Sequence, residues 1–300
     1  MGTTEKHCGY VAIIGRPNAG KSTLLNQLLE FKLSIVSPKP QTTRQKVLGI
    51  LNEPDAQIIF LDTPGLIKPR YALQSAMMKI ADGAIQSSDV IALIVDVTDK
   101  DHRAFVDELL KTNLKKTEAP ILLLLNKVDR IAKPELLPLL ESYHKTGLFR
   151  ELIPISALKN DGVDRVKRAL IGLLPVSEPF YPDDILTEQP ERFFVAEIIR
   201  EKIFYQFAEE IPYSTDVVIE EFKERSAGKT YIRAVVLVER DSQKAILVGK
   251  KGEASKQLGQ AARVAMEEFL DRPVFLEIWV KVREDWRSDT RALRDLGYTP

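Results

Sequence analysis

Along the first 174 residues, short apolar runs alternate with segments whose apolar positions recur every three or four residues. The runs 9–14, 46–52, 57–62, 89–96, 120–126 and 151–155 are near-continuous and rich in Val, Ile and Leu, the pattern of strands buried on both faces. Between them, 21–30, 71–87, 101–113, 134–147 and 161–173 carry a helical period. This alternation predicts an α/β fold, a mostly parallel sheet with helices on both faces. In such sheets ligands bind at the carboxyl ends of the strands.

After residue 174 the pattern changes. Residues 175–190 hold four prolines and no glycine, which predicts an extended, semi-stiff connector. Beyond it the periodicity gives a helix at 192–210, strands at 215–223 and 230–239 joined around Ser226-Ala227-Gly228, helices at 242–248 and 253–269, and a strand at 275–282. The expected division is a first domain over 1–174, a linker over 175–190, and a smaller α+β domain over 191–300. The tail from Asp285 to Tyr298, with Trp286, Arg287, Arg291 and Arg294, reads either as extra nucleic-acid surface or as a cap whose tryptophan is core.

Composition adds mainly exclusions. Three hundred residues suffice for two cores, and 44% hydrophobic with 29% charged residues is the balance of a soluble globular protein. No apolar run approaches the roughly 18 residues of a membrane span, and residues 1–8 lack an apolar leader core, so the expected location is the cytoplasm. The single cysteine, Cys8, excludes an internal disulfide, and His7, His102 and His144 lie too far apart for a zinc site. Formal net charge is zero, so any nucleic-acid contact must rest on a local patch.

The candidate chemistry begins behind the first strand. Gly15-Arg16-Pro17-Asn18-Ala19-Gly20-Lys21-Ser22, followed by the helix that Thr23 enters, is a phosphate cradle of the form G-x-x-x-x-G-K-[ST]. Glycines turn backbone N–H groups inward, the helix N-terminus adds positive potential, Lys21 reaches the β- and γ-phosphates, and Ser22 offers its hydroxyl to Mg²⁺. The loop from Ser34 to Arg44 reads as a switch whose threonine completes the Mg²⁺ shell; Thr43 is the expected ligand, with Thr42 the alternative beside it. Strand 57–62 ends in Asp62-Thr63-Pro64-Gly65, giving Asp62 to the metal and the Gly65 N–H to the γ-phosphate. Lys21, Thr43 and Gly65 are thus the expected catalytic groups.

Two further strand ends bear on the base. At Asn126-Lys127-Val128-Asp129, the Asp129 carboxylate can accept the two parallel hydrogen bonds that guanine offers and adenine does not, while Asn126 braces the loop and the Lys127 stem lies along the base. At Ser156-Ala157-Leu158-Lys159 the Ala157 amide is placed to donate to guanine O6, with Ser156 and Leu158 beside it. In the second domain, Gly249-Lys250-Lys251-Gly252 joins two helices. Its glycines let a nucleic-acid backbone approach and its lysines meet the phosphates. Over 242–263, Lys244, Lys250, Lys251, Lys256 and Arg263 face the single acid Glu253.

These motifs carry a resemblance. Residues 9–174 resemble the G domain of the Ras-like translation-factor class of P-loop GTPases. The motif forms are those of the Era-like family, and the second half resembles a type II KH domain. What the resemblance implies is an RNA-binding GTPase, a monomer, acting in small ribosomal subunit assembly on single-stranded RNA near the 3′ end of its ribosomal RNA. It also implies peripheral association with the inner face of the cell membrane. Asn18 is similar to an asparagine that in related GTPases holds K⁺ beside the phosphates; a plain turn residue is the alternative. Where Ras-type enzymes carry a water-orienting glutamine this chain has Leu66-Ile67, so slow intrinsic hydrolysis of GTP to GDP is expected. The competing readings are a signalling GTPase whose second domain binds protein or membrane, and a P-loop kinase, which Asn126 to Asp129 disfavour.

Overall fold

The computed structural model describes residues 6–115, 117–224 and 228–298. The chain divides into two units, one of residues up to 69 with 77–188, the other of 70–76 with 189 onward.

The first unit is built on a seven-stranded sheet. Its elements are β1 (Lys6–Ile14), α1 (Lys21–Leu29), β2 (Val47–Glu53), β3 (Ala56–Asp62), α2 (Ala72–Gln86), β4 (Val90–Asp96), α3 (His102–Lys111), β5 (Ile121–Asn126), α4 (Lys133–His144), β6 (Glu151–Ile155), α5 (Val163–Ile171) and β7 (Val176–Ser177). The strand order is β2-β3-β1-β4-β5-β6. Neighbours from β3 to β6 run parallel, and β2 returns antiparallel on β3. Because side chains alternate across a strand, both faces of β1 are filled. Ala12 and Ile14 join a core that includes Ala81 of α2, Val106 of α3 and Tyr143 of α4. Val11 and Ile13 are equally buried on the other face, the side of α1 and α5. All four strand ends that carry motifs, β1, β3, β5 and β6, lie at one edge of this parallel array.

The proline-rich stretch departs from the free connector its sequence suggests. β7 pairs antiparallel with β1 through Lys6↔Ser177 and His7↔Val176, which also explains why β1 starts earlier than its apolar run. Gln57, fully buried on β3, accepts from the amides of Phe180 and Tyr181 at 2.7 and 3.0 Å and donates to the Tyr181 carbonyl at 2.8 Å. Farther on, the Ile50 amide donates to the Leu186 carbonyl and the Thr187 hydroxyl to that of Leu48. Proline denies the segment a helix, and the polar edge of β2–β3 supplies the bonds its backbone then needs.

The second unit contains α6 (Glu191–Gln206), α7 (Ile211–Ser214), β8 (Asp216–Lys223), β9 (Thr230–Val238), α8 (Asp241–Val248), α9 (Glu253–Leu270), β10 (Val274–Val282) and α10 (Thr290–Asp295). β8 is antiparallel and β10 parallel to the central β9, and one face of this sheet packs on α6 and α9 through Ile199, Ile203, Ile232, Val236, Leu258 and Met266. Of the turn expected at Ser226-Ala227-Gly228, Ser226 and Ala227 lie outside the described residues. Trp286 is fully buried and donates its indole N–H to the Ser214 carbonyl at 3.1 Å, so the tail is core and cap, and this ring is not a stacking surface.

Candidate functional sites

The loop from Gly15 to Ser22 is shaped by what its glycines touch. A Cβ on Gly15 would lie 2.3 Å from the Ile94 carbonyl oxygen, and one on Gly20, at φ +104°, would lie 2.2 Å from Asn126 Nδ2. The loop is therefore pressed onto β4 and β5, with α1 opening directly after Gly20. Lys21 is buried, its ammonium donating to the carbonyls of Arg16 at 2.9 Å and Gly15 at 3.3 Å. Burial pushes its pKa down to about 8 against the pull of the Asp62 charge. Arg16 is held aside, donating to Asp99 at 2.7 Å with its guanidinium 5.0 Å from the Phe105 ring centre. Thr23 sits half-buried in the first turn of α1.

Three side chains from three motifs converge beside that lysine. Ser22 Oγ donates to Asp62 Oδ2 at 2.8 Å and lies 3.1 Å from Thr43 Oγ1, which is itself 3.5 Å from Asp62 Oδ2. Thr43 is buried, whereas Thr42 stays half-exposed. Asp62 is fully buried, and its Oδ1 has no partner among the described residues. Burial pushes its pKa up, opposed by Lys21 and by the nearby hydroxyls of Ser22, Ser34 and Thr43. An orphaned, buried carboxylate oxygen beside two hydroxyls is a donor set that suits a hard divalent cation such as Mg²⁺.

The next segment folds back on the cradle. A Cβ on Gly65 would meet the Pro17 nitrogen at 2.6 Å, and the Leu66 amide donates to the Gly15 carbonyl at 3.0 Å. Leu66 belongs to the apolar core, so its side chain points away from any attacking water. Asn18, at φ +62° and exposed, donates its side-chain amide to the Pro38 carbonyl of the switch loop at 2.8 Å.

At the base end, Asn126 binds the cradle and the last strand together. Its Nδ2 donates to the Ala19 carbonyl at 2.7 Å and its Oδ1 accepts from the Ala157 amide at 2.9 Å. The Ala157 N–H, expected to serve guanine O6, is thus occupied by Asn126; backbone geometry decides this, and composition does not reveal it. Leu158 beside it is 70% exposed. The Ser156 hydroxyl next to Asp129, helped by Lys159 at 3.7 Å, holds that carboxyl below the usual range, ready to accept. Lys127, at φ +68°, pairs with Asp96 at 2.5 Å. Burial alone would raise Asp96, but bonds from Lys127 and Thr98 outweigh it and keep the carboxylate charged. The motif pattern does not single out Asp96, although it ends β4 at the same edge as the other motifs.

The second unit carries the glycine loop between α8 and α9. Gly249 has φ +71° and ψ 178°, and a Cβ there would lie 2.7 Å from the Ala254 Cβ; Gly252 has φ +80° with nothing nearer than 3.8 Å. Lys244, Lys250, Lys251 and Lys256 are exposed. Arg263, half-exposed on α9, donates to both carboxylate oxygens of Glu267, one turn on, at 2.9 and 3.0 Å.

A cavity of about 920 Å³ opens instead at the start of β5, among Leu110, Leu114, Ile121, Phe149 and Arg150, and no motif residue lines it. A nucleotide site of this kind is an open cradle that its ligand completes, so cavity size does not locate it.

Comparison with known proteins agrees with both halves. The family model described as 50S ribosome-binding GTPase matches residues 10–127, and that of the KH domain matches 210–287. The chain is 47% identical to the GTPase Era of Geotalea uraniireducens over 98% of its own length and 99% of the relative's. It is 45% identical to a chloroplastic GTPase ERA-like protein of Arabidopsis thaliana, covering 98% of this chain and 69% of that one. Two crystal structures superpose with a TM-score of 0.94 at 42% identity, covering 98% of this chain and all of theirs: a point variant of Aquifex aeolicus Era bound to GDP and AlF₄⁻, and an Era in complex with MgGDPNP and nucleotides 1506–1542 of 16S ribosomal RNA. With a phosphate cradle, a guanine-reading loop and a KH loop in one chain, and near-full-length identity of this order, the chain belongs to the Era family of GTPases.

Proposed function

We propose that the first unit binds GTP and hydrolyses it slowly to GDP, and that the second binds single-stranded RNA near the 3′ end of 16S ribosomal RNA during small-subunit assembly. The observation that carries the reading is Asn126, which locks the phosphate cradle to the Ala157 turn while Asp129 is kept ionised beside them. In this arrangement Lys21 and the cradle amides hold the phosphates. Asp129 takes the two guanine donors. Ser22, Thr43 and Asp62 are the residues that would hold Mg²⁺, which supplies charge neutralisation at the β- and γ-phosphates.

Slow turnover follows from Leu66, since an apolar side chain at that position cannot align the attacking water. K⁺ held near Asn18 would supply the missing positive charge, and equal GTPase rates in K⁺ and Na⁺ buffers would rule this out. A cytoplasmic location, a monomeric state and peripheral association with the inner face of the cell membrane belong to the same proposal.

The test is RNA affinity, with the 3′-terminal segment of 16S RNA, in the GTP-analogue and GDP forms. Tight binding that Lys250→Glu with Lys251→Glu abolishes supports the reading, and any difference between nucleotide states must return as RNA-dependent nucleotide affinity. A lack of RNA binding in both states would favour a signalling GTPase.

A further inference from the structure

The second unit presents a row of rings that the glycine loop does not use. Along β9 and β10 alternate side chains, among them Ile232, Val236, Leu276 and Ile278, turn into the core. Tyr231, Phe275 and Trp279 therefore stand on the opposite face. Tyr231 lies across from Phe275 in register, and their rings stack with centroids 6.0 Å apart at 16°. Phe275 is 50% exposed and Trp279 58%. Four residues apart on one strand, they are about 13 Å from each other, room for successive bases with a gap between. The only other tryptophan, Trp286, is fully buried, so exposure of Trp279 is a local choice of the fold.

The charged groups around the rings are already neutralised. Glu277, between the two rings on β10, accepts from the Tyr231 hydroxyl at 2.8 Å and lies 3.6 Å from Arg233, which also pairs with Glu221 at 2.6 Å, and Lys281 pairs with Glu220 at 2.7 Å. Such a face has little to draw an acidic or basic protein segment. It does offer flat apolar surface, which stacks on any base. β10 is the edge strand of its sheet, and α8 and α9, the helices on either side of the glycine loop, both pack against it. A strand clamped at Lys250 and Lys251, where phosphate charge is met, can thus continue around the β10 edge onto the rings.

We propose that Phe275 and Trp279 form a second, base-stacking platform for single-stranded RNA, engaging nucleotides beyond those held by Gly249 to Gly252. The proposal rests on the RNA-binding reading above. A KH loop clamps about four nucleotides, so length separates the two sites. The full-length protein is titrated with a twelve-nucleotide RNA ending at the 3′ terminus of 16S ribosomal RNA, and with each of its overlapping four-nucleotide windows.

Trp279→Ala or Phe275→Ala is expected to weaken the twelve-mer roughly 5- to 150-fold, the range of one lost base stack, and to leave four-nucleotide binding unchanged. Trp279→Phe should recover most of the loss. The twelve-mer, and not the four-mers, should quench the solvent-exposed tryptophan emission. Equal twelve-mer affinity in the alanine variants, with four-mers still bound, overturns the platform and leaves the RNA reading intact. A wild-type protein that binds no RNA of either length overturns both. Capture of a protein on this face that Trp279→Ala abolishes, with RNA affinity unchanged, assigns the rings to a protein partner and overturns the proposal.

Discussion

The side-chain amide of Asn126 donates to the Ala19 carbonyl at 2.7 Å, tying the end of β5 to the phosphate cradle. Since the same side chain accepts from Ala157, its truncation leaves two buried backbone groups unpaired at once. Each costs about 1–3 kcal/mol. Asn126→Ala is therefore expected to weaken GDP binding by roughly 10- to 100-fold or more, while RNA affinity of the nucleotide-free protein stays unchanged. Titration with a fluorescent GDP checks both.

Lys21 gives a pH dependence with a defined sign. Folding takes its amine from the ordinary 10.5 to about 8, so between those values the unfolded chain holds a proton that the folded one has lost. Stability of the nucleotide-free protein should rise with pH across that window as far as this group is concerned. Phosphate brings the charge back, so binding takes up a proton, about half of one per GDP at pH 8. Calorimetry in two buffers of different ionisation enthalpy, with EDTA present, measures this; Lys21→Met should abolish the uptake.

Replacing Leu66 with the glutamine of Ras-type enzymes should not create one. Leu66 is 8% exposed within the apolar core, so Leu66→Gln buries an amide there at a cost of about 2–3 kcal/mol. The expected result is a lower melting temperature with no gain in kcat. A rate increase of tenfold or more would mean that this side chain can turn toward the nucleotide.

The two glycines of the KH loop are not equivalent. Gly249 occupies a region of φ/ψ essentially restricted to glycine and has Ala254 in the way, whereas Gly252 is left-handed with open space. Gly249→Ala should displace the loop and cut RNA affinity strongly. Gly252→Ala should cost about 1 kcal/mol of strain and less than tenfold in affinity. GTPase activity should remain unchanged in both.

How much of this was legible in the sequence depended on whether a feature is local. The five parallel strands, the antiparallel β2 beside them and their helices follow from unbroken apolar runs such as Ile121 to Leu125 and from helical spacing, because both faces of that sheet are buried and no register ambiguity arises. The converging Ser22, Thr43 and Asp62 follow from motif order, since strand ends of a parallel sheet meet at one edge. The fate of a polar group was not legible. Arg263 counts as a lone cation in a tally and is paired with Glu267; the Ala157 amide looks free and serves Asn126. Trp286 sits among arginines in the sequence and in the core in space.

The lacing of residues 176–187 onto β1, β2 and β3 alters what counts as the first folding unit. Gln57 is completely enclosed, and its four hydrogen bonds run to Asn52 and to the main chain of Phe180 and Tyr181. A fragment ending at Leu174, just past α5 and where the resemblance to a G domain stops, would strip three of those bonds from the buried Gln57. The compact first unit runs on to Glu188, and the prolines that look like a tether between domains serve as its final strap.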